Sequence, residues 1–367
     1  LDMFNTLGMP TSTTVSLVFE LLGGTVMLAT LKLAADHNLD MSSLVNSSKA
    51  LQVIIAIFVS VAISFVVGMV VMWISRVVFT FNYQKHSKWS IAIFGGIAFT
   101  TLAYFIFIQG MGKSPYIPSG VRDYIKDNTN MLLCATFVVS TIMMEVLHLL
   151  KVNIFKFVVL MGTFALAMAF ASNDLVNFIG VPLAGLDSYR DFEANAQGQG
   201  PDQYLMVSLM SSARTPIYYL MAAGCIMIVA MATSKKAQNV IKTSVDLARQ
   251  DEGDEMFGSS MAARSIVRFC QSAVVWTAHL FPLRLRQWVN SRFNANEVEL
   301  TDDRAAFDVV RAAVNLVIAS MLIVFGTNHQ LPLSTTYVTF MVAMGSSLAD
   351  RAWSRESAVF RVTGVLS

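Results

Sequence analysis

The chain has 367 residues, of which 55% are hydrophobic and only 14% are charged. A soluble globular protein carries about 25% charged residues, so this chain has too little charge to cover itself with a water-facing surface. The composition therefore argues against a soluble enzyme, a nucleic-acid-binding protein and a disordered protein. The net charge of +2 at pH 7 favours no class of partner.

Long charge-free segments recur along the chain, and a membrane-spanning helix needs about 20 mostly apolar residues. The segments that reach this length are 51–75, 89–112, 215–234 and 312–349. Shorter apolar runs lie at 3–19, 128–144 and 157–173. Because lipid offers no water to pair with backbone groups, such runs are expected to be helices. The predicted fold class is an all-α integral membrane protein, a polytopic helical bundle.

Two polar stretches interrupt this pattern. Residues 187–214 contain several carboxylates and a Gly- and Gln-rich run, which predict a water-facing loop. Residues 234–304 hold ten Lys or Arg and nine Asp or Glu, and we expect them on the cytoplasmic side. Basic residues and Trp between 264 and 288 predict either a helix on the membrane surface or an ordinary solvated segment.

A short pattern occurs twice, near the two ends of the chain. Residues 10–14 read Pro-Thr-Ser-Thr-Thr and residues 332–336 read Pro-Leu-Ser-Thr-Thr, and Gly23 and Gly345 follow at equal spacing. Pro suits the first turn of a helix, and Ser or Thr caps its N-terminus. Each copy therefore predicts a helix that starts within the membrane, where N–H groups and hydroxyls can bind an anion, or oxygens a cation. The alternative is that these hydroxyls only bond to neighbouring helices.

A third polar group lies at residues 171–177, which read Ala-Ser-Asn-Asp-Leu-Val-Asn between apolar runs. A carboxylate at membrane depth is costly and usually functional. Asn and Asp favour helix breaks and caps, so a discontinuous helix is expected here. Asp174, Asn173 and Asn177 offer oxygen ligands that suit a small cation such as Na⁺. The alternative is a cap at the membrane boundary with Asp174 in water.

Glu20 is a further carboxylate within an apolar stretch. Its counterpart in the second copy of the pattern is Val342, so it breaks the symmetry of the repeat. We expect it to pair with a Lys or Arg as a structural element. The alternatives are that its carboxylate binds and releases a proton, or that the side chain extends so that the carboxylate reaches the membrane–water interface.

These elements resemble the signatures of the inorganic phosphate transporter (PiT) family. Its members carry two GANDxxNA and two PVSTTH motifs, one pair in each inverted half. Residues 10–14 resemble the first PVSTT, 172–177 the second GANDxxN and 332–336 the second PVSTT. The other GANDxxN would precede residue 1, so the sequence is expected to be a fragment of a longer protein. The chain departs from the family at Ala171 and Ser172, which replace Gly and Ala, and at Val15 and Tyr337, which replace His.

The resemblance implies a bundle of two inverted repeats with discontinuous, re-entrant helices at the midplane. It implies four parts: 1–156, the remainder of the first repeat with connecting helices; 157–233, the start of the second repeat; 234–304, a polar insertion, cytoplasmic or on the membrane surface; and 305–367, the end of the second repeat.

The function implied is a secondary active transporter, not an enzyme, that couples inorganic phosphate to a cation, Na⁺ in preference to H⁺. Asp174 and Asn173 are implied to hold the cation, and Glu20 is the first candidate for a coupling carboxylate. The partners are phosphate, the co-transported ion and the lipid bilayer, in a multi-pass cell-membrane protein. A homodimer is left open, and no cofactor, metal or nucleic acid is expected. The residues implied to surround phosphate are Ser12, Thr13, Thr14, Asn173, Asn177, Ser334, Thr335 and Thr336.

Three other functions are weighed against this one. An H⁺-coupled permease for sulfate or another oxyanion could use the same hydroxyl-rich site. A membrane-embedded enzyme acting on a phosphorylated lipid needs a nucleophile, a general base or a metal cluster, and the three Cys and five His form no such pattern. A receptor or scaffold that uses 234–304 needs no repeated intramembrane motif.

Overall fold

The structure is a computed structural model, and all regular structure in its described residues is helical. The described residues are 3, 6, 11–35, 40–81, 88–109, 117–201, 203–206, 216–236, 238, 260–261, 264–265, 267–269, 272, 282–293, 308–329 and 331–351. A π-helical segment, Tyr104–Gln109, follows α4 directly. The α-helices in this part of the chain are α1 (Thr13–Ala35), α2 (Met41–Leu44), α3 (Ser47–Phe79), α4 (Lys88–Ala103), α5 (Ser119–Asp127), α6 (Thr129–Leu149), α7 (Ile154–Asn195), α8 (Ile217–Thr233), α9 (Leu283–Arg292), α10 (Val309–Asn328) and α11 (Thr335–Ala349).

Six helical stretches in the described residues are long and apolar enough to cross a membrane. Helix α8 is equally apolar but has only 17 residues. These findings confirm the prediction of an all-helical, multi-pass membrane protein. The six stretches are Thr13–Ala35, Ser47–Phe79, Trp89–Ile108, Thr129–Leu149, Ile154–Asn195 and Val309–Asn328.

Helix α7 overturns two expectations. The helix break expected at 171–177 is wrong, because α7 runs without interruption from Ile154 to Asn195 and even includes Pro182. The physical reason is that Asp174 and Asn177 make hydrogen bonds to α1 (described below), so the helical backbone bonds need not open for them. The loop expected from residue 187 starts later, because the last turns of α7 are helical as far as Asn195.

The chain divides into two compact units. The first contains Leu1–Gln52 and Ala167–Lys242, and the second contains Val53–Leu166 and Thr243–Ser367. Two of the three boundaries between the units fall inside α3 and α7, and the third lies outside the described residues. The division at 156, 233 and 304 that the family resemblance implies stays a prediction.

Aromatic side chains form part of the core of the second unit. The rings of Phe79, Phe94 and Phe155 lie in mutual contact, with centroids 5.1–5.4 Å apart. Phe79 and Phe155 are almost fully buried. They join the end of α3 to α4 and to the start of α7, and aromatic pairs in such edge and tilted geometries add to the energy of burial.

Helices α3 and α11 approach each other closely at two glycines. A Cβ on Gly68 would lie 2.6 Å from the carbonyl oxygen of Val342. A Cβ on Gly345 would lie 3.0 Å from the backbone nitrogen of Met69 and collide with the carbonyl of Phe65. Small residues of this kind let membrane helices pack backbone to backbone. They fix the position of α11, which begins at the second Pro-x-Ser-Thr-Thr copy.

Candidate functional site

Helix α1 begins at the first copy of the repeated pattern. The Oγ of Ser12 accepts a hydrogen bond from the backbone N–H of Val15 at 3.1 Å. The carbonyl of Ser12 accepts from the N–H of Ser16 at 3.1 Å and from its hydroxyl at 2.9 Å. Ser12 is 3% exposed and is an N-cap in its geometry. A helix start at the first copy is therefore confirmed, and its position within the membrane stays a prediction.

The next two hydroxyls of α1 contact the polar group in the middle of α7. Thr13 Oγ1 donates to Asp174 Oδ1 at 3.3 Å. Asn177 Nδ2 donates to Thr14 Oγ1 at 2.8 Å, and Thr14 Oγ1 lies 3.5 Å from Asn173 Oδ1. All these residues belong to the first unit. The structure thus brings together the first Pro-x-Ser-Thr-Thr copy and the Asn-Asp group, which are about 160 residues apart in sequence.

The electrostatics of this contact follow from the start of α1. A helix N-terminus carries a partial positive charge and N–H groups without helical partners. The carboxylate of Asp174 is held at the first turn of α1, where that partial charge stabilises it. Thr14 is buried and Thr13 and Asp174 are half-buried. The cluster presents carboxylate, amide and hydroxyl oxygens, which can coordinate a hard cation.

The second copy of the pattern forms the same local structure in the second unit. The Oγ of Ser334 accepts from the N–H of Tyr337 at 3.1 Å, and its carbonyl accepts from Val338 at 2.9 Å. Ser334 and Thr335 are buried, and Thr336 is half-buried. Helix α11 begins at Thr335 with Ser334 as its N-cap, which confirms a helix start at the second copy. Pro332 precedes the cap and does not lie in the first turn, and a start within the membrane stays a prediction.

Glu20 lies two turns beyond Thr13 and is exposed on α1. Two turns is about 10 Å along the axis, so its carboxylate is not part of the contact with α7. No ion pair joins Glu20 to a Lys or Arg among the described residues. The structural pairing expected for it is therefore not found there.

A buried ionic network in the second unit was not anticipated from the sequence. Arg76 Nη2 lies 3.0 Å from Asp308 Oδ2 and donates to Asp350 Oδ2 at 2.7 Å. Arg311 Nη1 lies 3.6 Å from the same Asp350 oxygen. Arg76, Arg311 and Asp350 are at most 2% exposed. In the sequence these residues only flank apolar runs. The one sequence signal for the network is that charges of both signs lie at the ends of predicted helices.

The network joins the ends of three helices. Arg76 lies in the last turn of α3, Asp308 caps the N-terminus of α10 and Asp350 follows α11 as its C-cap. Two arginines and two carboxylates balance in charge, as buried ionic groups require. The second Pro-x-Ser-Thr-Thr helix is therefore held at its far end by ion pairs.

Comparison with known proteins identifies the family. The model of the phosphate transporter family matches residues 2–244, which is 243 of the 367 residues. The match includes the contact between α1 and α7, while the second copy at 332–336 lies beyond it. No curated protein and no solved structure matches the chain. Because the match covers about two thirds of the sequence, the resemblance drawn from the motifs is confirmed, and the chain belongs to the phosphate transporter family.

Proposed function

We propose that the protein is a secondary active transporter of the cell membrane that carries inorganic phosphate together with a cation, which is Na⁺ in the first place. The observation that carries this proposal is the hydrogen bond from Thr13 to Asp174, 3.3 Å long. It holds a carboxylate at the start of the helix whose N–H groups and hydroxyls suit an anion.

The charges in and around this site favour coupling. Phosphate carries one to two negative charges at neutral pH, and an isolated anion is very costly to bury. No Lys or Arg lies within several residues of the three motifs. Asp174 adds a further negative charge, so phosphate would be repelled unless a cation lay between them. A cation beside Asp174 lowers that cost, which favours joint entry of anion and cation.

Each residue of the site has a proposed role. Asp174 and Asn173 hold the cation through their side-chain oxygens. Thr13, Thr14 and Asn177 place hydroxyl and amide groups between the cation and the phosphate. Ser12 acts through the backbone, because its hydroxyl caps the helix whose first N–H groups face the anion. From the second copy, Ser334, Thr335 and Thr336 are proposed to complete the phosphate shell.

An inverted repeat is part of the proposal. Each copy of the repeated Pro-x-Ser-Thr-Thr sequence starts a helix with its Ser as the N-cap, which supports two versions of one element. Helix α11 has 15 residues and is roughly 22 Å long, which is shorter than the hydrocarbon core of about 30 Å. A start inside the membrane suits such a helix, and transporters of this kind place substrate at helix starts near the midplane.

The test is uptake of radiolabelled phosphate by the full-length protein in proteoliposomes. An inward Na⁺ gradient, a choline gradient of equal ionic strength and a proton gradient are compared, with labelled sulfate alongside phosphate. We expect phosphate uptake that requires Na⁺. Uptake driven by protons alone would replace Na⁺ by H⁺ as the coupling ion, and uptake of sulfate without phosphate would overturn the substrate.

A further inference from the structure

Three helix ends meet at one end of the second unit. Arg76 at the end of α3 contacts Asp308 before α10 and Asp350 after α11. Helices α3 and α10 are both long and apolar enough to cross a membrane. The charged residues that close such helices lie at the boundary between lipid and water. A membrane boundary is therefore expected at the ionic network.

Helix α9 is attached to this boundary. Arg351 directly follows Asp350, and its Nη2 donates to Asn290 Oδ1 in α9 at 2.9 Å. The Arg351 guanidinium also lies over the ring of Phe293, 4.9 Å from its centroid. Phe293 is 7% exposed and closes the C-terminus of α9. These contacts place the helix beside the end of α11.

The charged side chains of α9 are all positive. Its ten residues read Leu-Arg-Leu-Arg-Gln-Trp-Val-Asn-Ser-Arg, with three arginines and no carboxylate. Arg284 is exposed and Arg286 is half-buried. Leu283 and Trp288 are exposed to 73% and 48%. One short helix therefore carries both guanidinium groups, which suit lipid phosphates, and exposed apolar side chains, which suit the outer acyl region.

We propose that α9 is a binding surface for anionic lipid headgroups at this membrane boundary. Arg284 and Arg286 pair with the lipid phosphates, for which guanidinium groups have matching geometry, while Leu283 and Trp288 enter the outer acyl region. Within α9 itself no carboxylate opposes this attraction. Through Asn290 and Arg351, bound lipid holds the end of α11 at the interface. This inference does not depend on which ion or anion is transported.

The test uses the fluorescence of Trp288 in the full-length protein reconstituted into phosphatidylcholine vesicles. The difference in emission between the parent and Trp288→Phe isolates this residue from every other Trp of the protein. Brominated phosphatidylglycerol and brominated phosphatidylcholine serve as quenchers at equal mole fraction. We expect the anionic quencher to remove at least twice as large a share of the Trp288 emission, and 0.5 M NaCl to reduce this excess because salt screens the attraction.

Two variants decide whether the arginines are responsible. The excess quenching should disappear in Arg284→Gln/Arg286→Gln and persist in the control Arg122→Gln/Lys126→Gln. That control removes the same charge from α5, which also carries two carboxylates. Equal quenching by both lipids, quenching by neither, or an excess that survives loss of the arginines would overturn the proposal. Loss of the excess quenching in millimolar inorganic phosphate at constant ionic strength would also overturn the proposal, because the arginines would then bind free phosphate.

Discussion

Asn177 links the two helices of the candidate site through its side-chain amide. Its Nδ2 donates to Thr14 Oγ1 at 2.8 Å and to Asn173 Oδ1 at 3.4 Å. One amide therefore orients both a hydroxyl that is proposed to contact phosphate and an amide oxygen that is proposed to hold the cation. Polar residues in membrane interiors stabilise helix contacts in the same way. The effect of an Asn177 substitution on transport must therefore be distinguished from a general loss of protein stability.

We expect Asn177→Ala to weaken phosphate transport without unfolding the protein. Loss of a hydrogen bond of this kind costs about 1 kcal/mol, which corresponds to roughly a fivefold rise in the phosphate KM. Uptake measured against phosphate concentration checks this. The control is Asn195→Ala, which removes an amide bonded to Asp191 within the last turns of α7. Equal KM values for the two variants would contradict the role of Asn177.

The hydroxyl pairs show what sequence can predict at this scale. The Pro-x-Ser-Thr-Thr spacing predicts Ser12 and Ser334 as caps because an N-cap bond is local, between residues three apart. The bond between Thr13 and Asp174 joins residues 161 positions apart. No local pattern encodes such a pair. Side-chain chemistry is enough to name Thr13 and Asp174 as candidate site residues. Only the folded structure shows that they are in contact.

At the scale of elements, the approach of α3 to α11 depends on backbone contact. A Cβ on Gly68 would lie 2.6 Å from the Val342 carbonyl oxygen and 2.9 Å from its Cα. Because these are backbone atoms, they can move only if the helix moves. We therefore expect Gly68→Ala to cost about 1–3 kcal/mol by overpacking and to lower the thermal midpoint of the purified protein.

The matched control for Gly68→Ala is Gly224→Ala in α8. A Cβ there meets no atom within 4 Å, and Ala favours helix over Gly by up to about 1 kcal/mol. Its thermal midpoint should stay level or rise. If the two variants melt at the same temperature, the close packing of α3 against α11 is not what stabilises this region.

The ionic network gives a second prediction for the elements. Arg76→Met leaves Asp308 and Asp350 without their main partner, and breaking a buried pair costs about 3–5 kcal/mol. We expect a large drop in thermal midpoint, which Arg76→Lys would only partly avoid because Lys cannot donate two parallel bonds. The exposed Arg190 offers the control Arg190→Met. A thermal midpoint for Arg76→Met equal to that of this control would argue against a structural network.

Helix α7 shows where element prediction fails. Asn and Asp at 171–177 predict a break, because these side chains compete for backbone bonds when nothing else satisfies them. In the structure α1 supplies hydroxyl partners, and the helix continues. The error therefore comes from treating as isolated a group that pairs with a distant segment. The apolar runs on both sides of 171–177 predict the continuous helix better than the polar residues between them.

At the scale of the whole molecule, composition and family signatures predict the fold class and the family. Low charge content and long apolar runs predict the membrane-spanning helices, and three short motifs indicate the family that the match over residues 2–244 confirms. The ionic network around Arg76 could not be predicted, because it depends on which helix ends meet.

The central claim is that Asp174 holds the co-transported cation beside the phosphate. The most direct measurement is the Na⁺ dependence of phosphate uptake by Asp174→Asn in proteoliposomes, with Glu193→Gln, an exposed carboxylate of the same helix, as control. We predict that Asp174→Asn raises the half-saturating Na⁺ concentration about tenfold or more, equivalent to roughly 1.4 kcal/mol, while Glu193→Gln matches the parent. An Asp174→Asn protein with the Na⁺ dependence of the parent would contradict the claim.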